Sequence, residues 1–239
     1  MVAALRARAA ERAPAAAARA SAGLSVSNAD QSETVIRIYD EVSHWGISAL
    51  DVIDELDRVT ADRIRVEINS PGGDVFDGIA IHNALRAHPA HVTVRVDGLA
   101  ASIASVIAQA GDTRIMQPAA QMMIHNAWGL VVGDHSDHSD MARLLQQQDL
   151  VIAGIYAARS GRNVEEFTAL MDAETWLTDQ ATVDLGLADS VADLAVAAAA
   201  STQPTATTHH PVTVISPPAP AASAPQFSQI AANAQRRRR

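Results

Sequence analysis

The sequence contains neither cysteine nor lysine. Without cysteine there can be no disulfide, no thiolate nucleophile and no cysteine-based zinc site, and cysteine usage carries no information about redox compartment. Without lysine, all 18 basic residues are arginines. A Walker-type phosphate loop, which needs Gly-Lys-Ser or Gly-Lys-Thr, is therefore excluded, so any dependence on ATP has to come from a partner. A Ser-Lys catalytic dyad is excluded on the same ground. Apolar runs are also short. None approaches the roughly 18 residues of a membrane span, so a cytoplasmic protein without a membrane partner is expected.

Large apolar residues are scarce at both ends. The first 29 residues are an Ala-dominated run with four Arg and one Glu, and from about Ala195 the chain is Ala, Pro, Ser and Thr ending in Arg236 to Arg239. Such segments lack what a packed core needs. The reading is a disordered Ala/Arg-rich extension or removable leader over 1–32, one domain over 33–194, and a disordered tail over 195–239. Between the ends, residues 30 to 195 hold 26 of the 27 acids and ten of the 18 Arg, a net charge near −16. An acidic body argues against nucleic acid as the main ligand.

Within the body, strand and helix patterns alternate. Val35 to Asp40 reads as a strand, and Ile47 to Val59 as a helix with Ile47, Leu50, Ile53 and Leu56 on one stripe. Arg63 to Ile68 is a strand closed by Asn69-Ser70-Pro71-Gly72-Gly73, followed by a helix over Asp74 to Ala87. A third strand, His91 to Val96, leads through Gly98-Leu99-Ala100-Ala101 into Ser102, which opens a helix over Ile103 to Ala110. Short strands at Arg114 to Gln117 and Gln121 to Ile124 precede His125. Beyond it lie a long helix over Ser139 to Arg159 and a short one over Val164 to Met171. This alternation predicts an α/β layered fold.

Three elements could carry chemistry. A serine at a strand-to-helix turn can expose its hydroxyl beside unpaired helix amides, which suits a nucleophile next to an oxyanion site. The same position would equally suit an N-cap. Paired glycines at Gly72-Gly73 let the backbone approach a ligand, or simply form a turn. His125, leaving an apolar strand, can meet a side chain from a neighbouring unit. His135 and His138 among Asp134, Asp137 and Asp140 read as a solvated acidic loop rather than a metal site.

Taken together and in order, Ile68-Asn69-Ser70-Pro71-Gly72-Gly73, Gly98-Leu99-Ala100-Ala101-Ser102, Met123-Ile124-His125, and the closing stretch from Thr175 to Asp189 resemble the signatures of Clp protease proteolytic subunits over roughly residues 35 to 193. Ile38-Tyr39-Asp40-Glu41, Gly72 to Gly78 and His125-Asn126-Ala127-Trp128-Gly129 resemble the Clp-like proteases of phage head maturation. The resemblance implies the ClpP/crotonase-like fold of repeated β-β-α units with a protruding strand-helix handle. It implies a serine endopeptidase with Ser102 as nucleophile, His125 as general base, and the Gly73 and Ile103 N–H groups as oxyanion hole. Glu174 stands where the family usually has Asp, with Asp172 the alternative acid.

The resemblance further implies a ring-forming homo-oligomer acting on protein or peptide substrates, without a cofactor. Its partners would be an AAA+ unfoldase or phage capsid and scaffold proteins. Two other readings compete: a catalytically weak ring or assembly protein, because of Glu174, and a crotonase-type acyl-CoA enzyme, which needs no serine nucleophile.

Overall fold

The computed structural model describes residues 23–30 and 32–193. The eight strands among them are β1 (Leu24–Asp30), β2 (Glu33–Ile38), β3 (Arg63–Ser70), β4 (His91–Ala101), β5 (Thr113–Met116), β6 (Gln121–Ile124), β7 (Thr175–Thr178) and β8 (Ser190–Val191). The helices are α1 (Ala49–Leu56), α2 (Val75–Ala87), α3 (Ile103–Ala108), α4 (His135–Ser160), α5 (Val164–Asp172) and α6 (Asp179–Asp184). This is the mixed α/β architecture expected from the alternating pattern.

Strands β2, β3, β4, β5 and β8 run parallel in that order, with β1 antiparallel along the β2 edge. One face follows the period of two: Ile36, Ile38, Ile64, Val66, Ile68, Val92, Val94 and Val96 are all buried. They share one core with Val52 and Leu56 of α1, Ile81 and Leu85 of α2, Ile103 and Ile107 of α3, and Ile152 of α4. Burying a side chain of this kind removes about 1.5–3 kcal/mol of unfavourable hydration.

Parallel sheets are usually covered on both faces, but here the second face is ionic. Glu67 of β3, 3% exposed, receives Arg37 of β2 at 2.7 Å, Arg95 of β4 at 3.0 Å and Arg65 at 3.1 Å.

Helix starts are built by side chains. Ser48 and Asp51 form a capping box on α1, and Asp74 Oδ1 accepts the amides of Phe76 and Asp77 at the start of α2. Because Ser48 caps α1, Ile47 lies outside the helix, and the buried positions are Ala49, Val52 and Leu56. The stripe expected through Leu50 is shifted, and Leu50 is 67% exposed.

Two further expectations change. The domain does not begin at residue 33, since Leu24 to Asp30 is a strand on the β2 edge; its residues are mostly polar, so periodicity next to an Ala-rich run carried no signal. The long helix expected over Ser139 to Arg159 is present as α4 but begins at His135, because Asp134 and Asp137 form a capping box there. The rest of the N-terminal extension and the Arg-ended tail lie outside the described residues.

Candidate active site

Strand β4 is the element that builds the site. Its first half pairs with β5, from Thr93 opposite Thr113 to Val96 opposite Met116. Its second half pairs instead with β6, with Leu99, Ala100 and Ala101 opposite Gln121, Met122 and Met123. The change of partner coincides with a register shift against β3, where Ile68 faces Val96 but Ser70 faces Ala100. Such a bulge bends a strand and re-aims its later residues. Gly98 sits in the bend, where an added Cβ would stand 2.8 Å from Asn69 Oδ1.

The bent strand delivers Ser102. Its N–H donates to Met123 O at 2.9 Å, which locks the strand end to β6 two residues before His125. Ser102 Oγ and His125 Nε2 then lie 2.7 Å apart. Of the two local readings of Ser102, the cap is not realised, since the side chain makes no cap hydrogen bond to α3. Its backbone has φ 54° and ψ −128°, a conformation that costs a non-glycine residue about 1–3 kcal/mol. The turn therefore aims Oγ at the imidazole rather than at the helix amides. With Ser102 as donor, Nε2 is the unprotonated nitrogen and Nδ1 carries the proton.

The Gly-Gly turn is pinned beside the serine. Val42 N–H donates to Gly72 O at 2.8 Å, and Asp74 N–H donates to Val42 O at 2.6 Å. This parallel bridge uses the groups flanking Gly73. Gly72, at φ 90°, packs so closely that an added Cβ would meet Ala101 O at 2.5 Å, Ser102 Cβ at 2.8 Å and Ile103 N at 3.0 Å. Ile103 is the first residue of α3, where no intrahelical acceptor exists for its amide. The turn and the helix start thus converge on Ser102.

Three acids are tied to the segments around His125. In the antiparallel β6–β7 pair Thr175 faces Ile124, so Glu174 and His125 are the next residues beyond that pair. Glu174 itself has φ 47°, and its Oε1 accepts from Trp176 Nε1 at 3.4 Å. Asp172 Oδ1 accepts from Asn126 Nδ2 at 2.7 Å. Asp149 of α4 accepts from the Ala127 N–H at 2.7 Å, and burial pushes its carboxyl up, opposed by that hydrogen bond. Among the described residues, Ser102 is the hydrogen-bond partner that His125 has. The buried Oδ1 of Asn126 has no partner among them.

Asp149 gave no signal in the sequence, because nothing in Gln146-Gln147-Gln148-Asp149 distinguishes a site residue from a polar helix face. The loop 41–47 was also silent. It closes through Ile47 N–H to Glu41 O at 2.8 Å and Ser43 N–H to Ile47 O at 3.0 Å. It presents His44 and Trp45 in an edge-to-face pair with centroids 5.2 Å apart. Glu41, Trp45, Gly73, Ser102, His125 and Trp128 line one open cleft of about 660 Å³. The His135 and His138 region is the start of α4, where Asp134 and Asp137 form a capping box. No three His, Asp or Glu side chains among the described residues are grouped to hold a metal ion. No helix among them is long and apolar enough to cross a membrane.

The family model described as Clp protease matches residues 26–195. An ATP-dependent Clp protease proteolytic subunit of Bacteroides fragilis (strain ATCC 25285) is 34% identical over 130 residues, covering 54% of this chain and 63% of that protein. The protein of the same name from Ligilactobacillus salivarius (strain UCC118) is 32% identical over 156 residues, covering 64% and 78%. The chain thus spans about three-fifths of the length of the first of these relatives. A family match from the first strand to the last, on a sheet whose bend brings Ser102 to His125, establishes that the chain belongs to the Clp protease family.

Proposed function

We propose that the protein is a serine endopeptidase in which Ser102 attacks the peptide carbonyl. The observation that carries this reading is the 2.7 Å contact of Ser102 Oγ with His125 Nε2, made by a serine whose backbone is held out of the capping conformation. His125 takes the hydroxyl proton as Oγ bonds to the carbonyl carbon, then delivers it to the leaving amine. Water repeats the cycle on the acyl-enzyme and regenerates the serine. The N–H groups of Gly73 and Ile103 receive the developing oxyanion; one such donor contributes about 10²–10³ in turnover.

Glu174 is the proposed third member, supported by its register beside His125. In that role its carboxylate would accept the Nδ1–H of His125 and hold the tautomer. Comparing turnover in Glu174→Ala, Asp172→Ala and Asp149→Asn tests this assignment. Loss confined to Asp172→Ala or to Asp149→Asn transfers the role to that residue.

The nucleophile is tested with a fluorophosphonate probe. Labelling of the wild type that disappears in Ser102→Ala is the expected result. A folded wild type that stays unlabelled sinks the peptidase reading and favours a catalytically weak assembly protein.

The proposal extends to a homo-oligomeric ring that encloses its active sites in a cytoplasmic setting. It is supported by apolar side chains the single chain leaves uncovered between residues 128 and 151: Trp128 at 77%, Leu130 at 86%, Val132 at 91% and Leu150 at 61% exposure. Large apolar side chains exposed in number over one stretch of chain are what an interaction surface supplies. Substrates would be capsid and scaffold proteins if the phage-type resemblance governs, or unfolded proteins delivered by an AAA+ unfoldase. The relatives' names include "ATP-dependent", and this chain has no lysine for a Walker loop of its own. Degradation of an unfolded protein that requires an added unfoldase and ATP would select the second role; limited cleavage of a co-expressed scaffold protein without ATP would select the first.

A further inference from the structure

Two buried hydroxyls connect the long helix α4 to the carbonyl of Ser102. Ser105 is 0% exposed and Tyr156 of α4 is 1% exposed. Ser105 Oγ lies 2.5 Å from Ser102 O and 2.7 Å from Tyr156 Oη. A serine hydroxyl has one proton, and a carbonyl can only accept, so that proton goes to Ser102 O. Tyr156 Oη must then donate to Ser105 Oγ. The direction of the chain is fixed: Tyr156 O–H to Ser105 Oγ–H to Ser102 C=O. Burial pushes the phenol well above its ordinary value, which keeps it a donor at every working pH.

The carbonyl it reaches belongs to a non-glycine residue with positive φ. Ser102 O also accepts the Ser105 N–H at 3.0 Å, and the Ser102 N–H is tied to Met123 O at 2.9 Å. A backbone at φ 54° and ψ −128° persists only where its surroundings over-determine it. We infer that Tyr156, acting through the Ser105 hydroxyl, is a positioning residue that holds the Ser102 backbone in the conformation presenting Oγ to His125. The inference rests on Ser102 being the nucleophile. Nothing in the sequence pointed to it, since Tyr156 is 54 residues further along the chain and reads as one apolar position of a helix.

The competing explanation is that two core hydroxyls merely satisfy each other. The two differ in one respect: a purely structural pair affects activity only through stability. Tyr156→Phe keeps the ring and its packing at 5.5 Å from Phe167. Ser105→Ala leaves the phenol without an acceptor and also costs stability. The double variant removes both polar partners, which in a buried site is close to neutral for stability.

The experiment measures melting temperature, kcat and KM on a fluorogenic peptide, and the rate of fluorophosphonate labelling, for wild type, Ser102→Ala, Tyr156→Phe, Ser105→Ala and the double variant. Tyr156→Phe is expected to lower kcat and the labelling rate about three- to tenfold, the worth of one net hydrogen bond, with KM unchanged. Ser105→Ala is expected to lower both about tenfold or more. The double variant is expected to regain the melting temperature but not the rates. Recovery of rates together with stability in the double variant, or wild-type rates in Tyr156→Phe, overturns the positioning role. If Ser105→Ala fails to fold, Tyr156→Phe and the double variant still decide the question. Failure of the underlying peptidase reading is seen separately, as wild-type labelling that is absent or that survives Ser102→Ala.

Discussion

Replacing Gly72 with Ala puts one methyl group against the point where the Gly-Gly turn, the end of β4 and the start of α3 meet. The added Cβ would lie 2.5 Å from Ala101 O and 3.0 Å from Ile103 N, both backbone atoms that cannot swing aside, and 2.8 Å from Ser102 Cβ. The φ of 90° adds a penalty of about 1–2 kcal/mol for any L side chain, and relieving the overlap adds about 1–3 kcal/mol. Together these give a loss of about 2–5 kcal/mol. In a domain of this size it corresponds to a fall in melting temperature of about 4–20 °C.

The consequence for activity is larger in proportion. Relief has to push Ala101 to Ile103 away from the turn, and a displacement of the order of 1 Å can cost about 10² in turnover. Melting scans and kcat/KM on a fluorogenic peptide, at matched protein concentration, measure the two effects. A Gly72→Ala protein that melts and turns over like wild type would refute the close approach, and with it the proposed oxyanion hole of Gly73 and Ile103.

Other expected outcomes come from parts of the fold remote from the cleft. Burial, reinforced by the Asp97 carboxylate that its hydroxyl bonds, pushes Tyr39 up to about 12. A raised folded value means stability that is complete below the unfolded value near 10 and lost as pH rises from there towards about 12. Tyrosinate absorbance that appears near pH 10 in the folded protein would contradict this. Arg114, 7% exposed, donates to Asp189 Oδ1 at 2.6 Å, to Gln109 Oε1 at 2.9 Å and to Gly186 O at 3.0 Å. Arg114→Ala is therefore expected to cost about 2–3 kcal/mol by denaturant titration. That is below the figure for a fully buried pair, because the Asp189 side chain is 41% exposed and solvent screens it. Burial alone would raise Asp189, but the Arg114 hydrogen bonds outweigh it and hold the carboxyl below its ordinary value. Its contribution is present above about pH 4 and lost as pH falls through the folded value, and a flat acid limb would count against it. Gly154 lies inside α4 with nothing within 4 Å of an added Cβ. Gly154→Ala is expected to stabilise by about 0.5–1 kcal/mol, and destabilisation would show that a second chain covers this position.

Much of the architecture could be read along the chain because it depends on short-range rules. Alternation at Ile64, Val66 and Ile68 marks a strand face wherever that strand lies, and the glycines at 72 and 73 mark a turn where φ is positive. The long helix could be read too, although it starts at His135; the acids near its start, read as a loop, are Asp134 and Asp137 acting as a capping box. Ser102 and His125 emerged as candidates from local setting and from the order of the motifs. Their role as partners was not legible in either segment alone.

Composition and periodicity act residue by residue, so they were enough to establish the α/β class, the order of its units and the excluded chemistries. Which side chains meet is a matter of tertiary structure. Ser102 reaches His125 because β4 bends from β5 to β6, a choice of strand partner that no local pattern encodes. The edge strand β1, the shared face of Glu67 with three arginines, the position of Asp149 and the link from Tyr156 to Ser105 have the same origin. They depend on contacts between residues far apart in the chain, where packing and the need to pair every buried polar group select the partners.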